Sequence, residues 1–170
     1  ITVNEVAGND FTGWLAGYTL VARPGADSDH DSINKAVEYV IGGDPASRMD
    51  VNLLPSVSPV VADPDGNAVN SEYLLFTYRR TDRAKNDPST TIKVEWGTNL
   101  VGPWTNAVGT TDVVVMEEND AFGPGVDRVK VYLPRSLAVD GELSTREAER
   151  VRSLGHHGRL GHGDVDGQRF

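Results

Sequence analysis

Cysteine is absent from the 170 residues. That excludes disulfides, a thiol nucleophile and a thiolate-ligated zinc site. Apolar runs of membrane-spanning length are missing too, so no insertion into a bilayer is expected. Basic residues are in short supply: 16 Lys and Arg stand against 25 Asp and Glu, a net charge of −9. A phosphate backbone needs a basic face, so nucleic acid is excluded as a partner. An acidic surface suits divalent cations instead. The chain also lacks a Gly-x-Ser-x-Gly elbow, a His-Glu-x-x-His helix, a Walker loop and a dinucleotide glycine loop. A Ser-His-Asp arrangement would depend on His30 or on the C-terminal histidines, and no spacing brings a carboxylate pair such as Glu72 and Glu95 together. The expectation is that the protein is not an enzyme. It opens at Ile1 with neither an initiator Met nor a charged-then-apolar leader, which reads as a fragment of a larger protein.

What the chain does have is turns and acids. Eighteen Gly and nine Pro without a period predict short strands rather than long helices. The densest acidic stretch is Asp-Ser-Asp-His-Asp-Ser-Ile-Asn-Lys-Ala-Val-Glu, from Asp27 to Glu38. Carboxylates at loop positions one, three and five with a glutamate at twelve match the ligand spacing of an EF-hand calcium loop. The chemistry explains the spacing. A hard dication takes six or more oxygens, and a tight loop turns alternate side chains inward. Asp27, Asp29 and Asp31 then supply carboxylates, Ile33 its backbone carbonyl at position seven, and Glu38 closes the shell from the first turn of a helix. The same acids also fit a solvated turn, but three carboxylates this close repel one another unless a cation sits among them. Two positions depart from the ideal. Ser32 stands where glycine normally makes the sharp turn, and Lys35 brings a positive charge to position nine. Both predict loose binding, roughly 10⁻⁴–10⁻³ M.

Around this loop the pattern is helical and then β. Phe11, Trp14, Leu15 and Tyr18 recur at helical spacing after a cap at Asn9-Asp10, with Trp14 packing the apolar face. A second short helix over 36–41 stops at Gly42-Gly43, before Asp44-Pro45. Strands are predicted over 56–62, 72–80, 90–97, 111–117 and 126–133. Within them Ile92, Val94 and Trp96 alternate with Lys93 and Glu95, while Val129, Val131 and Leu133 alternate with Arg128, Lys130 and Tyr132. One wet and one dry face is the signature of antiparallel sheets. The expected fold is mainly β, an antiparallel Ig-like β-sandwich preceded by a short helix–calcium loop–helix segment. Its divisions are 1–50 for the lead-in, 51–143 for the sandwich and 144–170 for a poorly ordered tail.

Other clusters read as ordinary surface. The stretch from Asp63 to Asn67 repeats the acidic spacing but has no glutamate at position twelve, and reads as a tight turn. The basic run from Arg79 to Lys85 reads as a solvated hairpin tip, and Glu117, Glu118 and Asp120 as a solvated loop. Residues 144–170 carry a net +1, leaving −10 on the rest. Ser144 with Glu147 reads as a capping box for a short helix. His156, His157 and His162 lie on this tail without defined ligand geometry.

Three blocks occur in a familiar order: Phe-Thr-Gly-Trp-Leu-Ala-Gly-Tyr at 11–18, the acidic loop at 27–39, and Gly-Gly-Asp-Pro at 42–45. This order resembles the C-terminal modules of large secreted or surface-attached bacterial proteins. In those, a thrombospondin-type-3-like or dockerin-like calcium loop precedes a β-sandwich. The stretch Lys-Val-Glu-Trp-Gly-Thr-Asn-Leu-Val-Gly-Pro-Trp at 93–104 is similar to a second signature of the same modules. The resemblance implies calcium on Asp27, Asp29, Asp31 and Glu38, an extracellular or cell-surface location, and a non-catalytic structural or adhesive role. It leaves polysaccharide or another surface protein as partner. For a carbohydrate-binding alternative, planar rings stack on sugars, and among Tyr73, Tyr78, Trp96, Trp104 and Tyr132 the loop residue Trp104 is best placed for exposure. The resemblance also implies an apolar terminal strand after residue 143. Ser-Thr-Arg-Glu-Ala-Glu-Arg stands there instead, so an edge strand is expected to be missing.

Overall fold

Alternating apolar residues bury one face of each strand, and that alternation organises the body of the protein. The computed structural model describes residues 11–20, 23–99, 101–138 and the backbone of 144–151. Two antiparallel sheets result. The larger has the order β1 (Ser56–Ala62), β2 (Ser71–Thr81), β6 (Val126–Pro134), β5 (Val114–Glu118). The smaller places β3 (Thr90–Gly97) between β4 (Thr105–Asn106) and β7 (Ser144–Val151). The long pair β2–β6 aligns Phe76 with Val131 and Tyr78 with Val129. Those four, with Leu133, Val94 and Ala107, form one buried cluster to which both sheets contribute. Ile92 and Trp96 pack against it beside Val94, as their alternation predicts.

The lead-in has its own core. Helix α1 (Phe11–Ala16) and helix α2 (Lys35–Ile41) bury Phe11, Leu15, Tyr39, Val40 and Ile41 with Ile33. Val40 and Ile41 are fully buried; each such side chain contributes roughly 1.5–3 kcal/mol. Phe11 meets Tyr39 edge-on at 5.5 Å, and half-buried Trp14 packs on the same ring at 5.4 Å, in the packing role expected of it. Asn34 caps α2, its Oδ1 accepting from the Val37 N–H at 2.9 Å. Gly42 ends the helix in the left-handed conformation at φ 80°, donating its N–H to the Glu38 carbonyl.

Two charged segments differ from expectation. Arg80 is no solvated tip. It lies in β2, while Thr81 caps a third short helix, α3 (Asp82–Asn86). The cause is Asp127 on β6, only 1% exposed, whose buried charge needs cations. Its Oδ2 accepts from Arg80 Nη2 at 3.2 Å and Lys85 Nζ at 3.0 Å. Glu117, at the end of β5, joins the same network at 2.7 Å from Arg80, and Glu118 binds Arg128 and Lys130. Neither glutamate is in a loop.

The residues expected to start a helix at Ser144 instead form β7, antiparallel to β3, with Gly97 opposite Ser144 and Thr90 opposite Val151. A local cap contributes only about 1 kcal/mol, and the unpaired edge of β3 outcompetes it. The edge strand expected to be missing is therefore present through 151. The histidines at 156, 157 and 162 lie outside the described residues.

Candidate metal centre

The acidic loop is tied at its base and bent by its own carboxylates. Lys35 N–H donates to the Ala26 carbonyl and Ala36 N–H to the Pro24 carbonyl, each at 3.0 Å, so the loop leaves and rejoins the chain at one point. Asp27 accepts from the His30 N–H at 2.7 Å through Oδ1 and from the Ser32 N–H at 3.0 Å through Oδ2. Asp31 Oδ1 accepts from the Ile33 N–H at 2.7 Å. Such aspartate-to-backbone bonds draw the chain into successive tight turns. They also force His30 and Ser32 to positive φ, 68° and 75°. Ser32 thus adopts the left-handed geometry for which glycine is normally required at position six.

The bends bring the acids together in two overlapping groups. Carboxylate oxygens of Asp27, Asp29 and Asp31 lie within 4.8 Å of one another, and so do those of Asp31, Glu38 and Asp50. Oxygens bound to one calcium ion at 2.3–2.6 Å lie no more than about 5 Å apart, so either group is compact enough to share a cation. Asp31 belongs to both. Glu38 is 1% exposed, and neither of its oxygens has a hydrogen-bond partner. The Oδ2 atoms of Asp29 and Asp31 are buried and unpartnered as well. Buried carboxylate oxygens without donors are costly, and a cation is the ligand that would satisfy them.

The electrostatics point the same way. Burial, reinforced by Asp29, Asp31, Asp50 and Asp27, pushes the Glu38 carboxyl up to about 8. Burial also raises Asp29, with Asp27 and Asp31 adding to the effect. Asp50 is raised by burial and by Asp31, against the opposing Asp44 N–H. Asp27 goes the other way: burial acts upward, but the N–H groups of Ser32 and His30 together hold it below the usual carboxylate range. Carboxylates that raise one another's affinity for a proton also create a strong field for a dication.

Of the residues expected from the sequence, Asp27, Asp29, Asp31 and Glu38 all stand in this cluster. Ile33 is anchored by its buried side chain, 4% exposed in the lead-in core. Asp50 was not expected. It opens the 3₁₀ turn Asp50–Leu53, beyond a window that closes at Glu38. The available signal was Gly43: a Cβ there would meet Asp50 Oδ2 at 2.5 Å and Glu38 Cβ at 3.0 Å. Only glycine lets the chain turn back this tightly beside the helix.

The remaining candidates lie elsewhere. Trp104 precedes β4 and is half-buried rather than exposed, its ring against the backbone of Gly97 and Gly102. Tyr73, Tyr78 and Tyr132 are buried. Asp63 in the second acidic stretch is half-buried and accepts from the Asn67 and Ala68 N–H groups, each at 2.9 Å, in a turn between β1 and β2. Among the described residues no helix is long and apolar enough to cross a membrane. The chain matches no family model, no curated protein and no solved structure.

Proposed function

We propose that this protein is a non-catalytic, calcium-stabilised structural or adhesive module of a larger secreted protein, acting outside the cell or at its surface. In this reading the two sheets pack face to face as an Ig-like β-sandwich, supported by the apolar cluster to which both contribute. Calcium is held by Asp27, Asp29, Asp31, the Ile33 carbonyl and Glu38, and fixes the lead-in against the body. The observation that carries the reading is Glu38: a glutamate 1% exposed, both oxygens unpartnered, facing other carboxylates. Only a cation makes such an arrangement favourable in the charged form. Carbohydrate binding through Trp104 has less support, because that ring is half-buried against its own loop.

Thermal melting with calcium and with a chelator tests the reading. A ligand that binds only the folded form at about a hundred times its dissociation constant adds roughly 2.7 kcal/mol. Calcium is expected to raise the melting temperature and magnesium to do so less, since magnesium sheds its water reluctantly. Identical melts with calcium and chelator would rule the reading out.

A further inference from the structure

The EF-hand spacing ends at Glu38, yet an acid from outside that window, Asp50, stands in one group with Glu38 and Asp31. We propose that Asp50 is a ligand of the bound cation, forming with Asp31 and Glu38 the inner face of the site. The ion then ties the acidic loop to the turn that leads into β1. This rests on the calcium reading above and deepens it.

Geometry and burial together carry the assignment. Carboxylate oxygens of Asp50, Asp31 and Glu38 lie within 4.8 Å of one another, the separation that oxygens on one calcium ion require. Glu38 is only 1% exposed, both of its oxygens are unpartnered, and its carboxylate lies in this group. Asp31 Oδ2 is likewise buried and unpartnered. Asp50 is itself only 7% exposed. The chain has made room for it: the missing Cβ of Gly43 leaves the space that Asp50 Oδ2 occupies. A merely structural role would need Asp50 to satisfy backbone donors, and it does accept from the Asp44 N–H. That single bond does not account for placing its charge against two other carboxylates, where repulsion opposes it.

The test is calorimetric calcium titration of the whole chain and of its Asp50→Asn and Asp27→Asn variants, with melts of each in chelator. Asparagine keeps an oxygen for the Asp44 N–H but loses the charge. For a ligand, Asp50→Asn weakens calcium binding by roughly tenfold or more, because affinity in such sites follows ligand charge count. The same variant melts no lower than the parent in chelator, because a like-charge contact has been relieved. Parental affinity in Asp50→Asn, with binding weakened in Asp27→Asn, overturns the role of Asp50 and leaves the calcium reading intact. An Asp50→Asn variant that is unfolded or clearly less stable in chelator also overturns it, since that marks a structural residue. If the parent itself takes up no calcium, the calcium reading fails first and this inference with it.

Discussion

A carboxylate buried among carboxylates keeps its proton, and Glu38 turns this into a measurable pH dependence. Its ordinary value is 4.5, and in the folded protein burial and the neighbouring aspartates raise it to about 8. The folded state therefore binds the proton more tightly than the unfolded chain does. Stability from this group is complete below about pH 4.5 and is lost as pH rises through 8. Asp29 and Asp50 are raised and act in the same direction. The paired acids Asp87, Glu117 and Asp127 are lowered, so they titrate below this window and do not blur it. In chelator, the melting temperature is expected to fall between pH 5 and pH 8, and Glu38→Gln to flatten that fall. In the calcium reading the ion competes with the proton for the same oxygens, so its stabilising shift is expected to be larger at pH 8 than at pH 5. A chelated protein that grows more stable over this range would show that Glu38 is not held among charges.

At the scale of the element, the loop is a compromise between ligand spacing and backbone comfort. Ser32 stands at φ 75°, in the left-handed region where a side chain costs about 1–2 kcal/mol. Its N–H is held by Asp27 Oδ2 at 3.0 Å, and glycine would keep that bond. Ser32→Gly is accordingly expected to stabilise the folded chain by about 1 kcal/mol in denaturant titration and to tighten calcium binding. A loss of stability would mean that the Ser32 side chain has a role of its own. The same element shows what local pattern conveys. That Asp27, Asp29, Asp31 and Glu38 stand in overlapping acidic groups was legible because their spacing lies within one loop and is a local property. The strands at 56–62 and 90–97 were legible because alternation is local as well. Asp50 was not, because it reaches Glu38 only through the reversal at Gly43. The strand at 144–151 was not, because a nearby cap signal said helix while the partner lay far away on β3. The ion-pair network of Arg80 and Lys85 around buried Asp127 joins β6, β2 and α3, and no stretch of sequence holds it together.

Across the whole molecule, the proposed calcium ion stabilises either the lead-in alone or the β body too. Helix α2 is bonded directly to the larger sheet and to the segment that follows it. Thr81 Oγ1 donates to the Tyr39 carbonyl at 2.9 Å, Arg79 Nε to the Ile41 carbonyl at 3.1 Å, and the Tyr39 hydroxyl to Asp87 Oδ2 at 3.1 Å. The apolar contacts are continuous as well. Ala84 of α3 belongs to the lead-in core, and Ile92 of β3 packs against both clusters. Opening α2 alone would strand Asp87 without one of its donors and expose apolar surface on α3 and β3, so partial opening is costly relative to global unfolding. The two parts are thus expected to lose protection together when calcium is withdrawn. Hydrogen exchange resolved by segment checks this. Near a hundredfold saturation the roughly 2.7 kcal/mol of linkage corresponds to about a hundredfold faster exchange, and it should appear in β2 and β6 as well as in α2. Faster exchange confined to α2 and the acidic loop would separate the lead-in from the body, and calcium would then stabilise a local appendage rather than the fold.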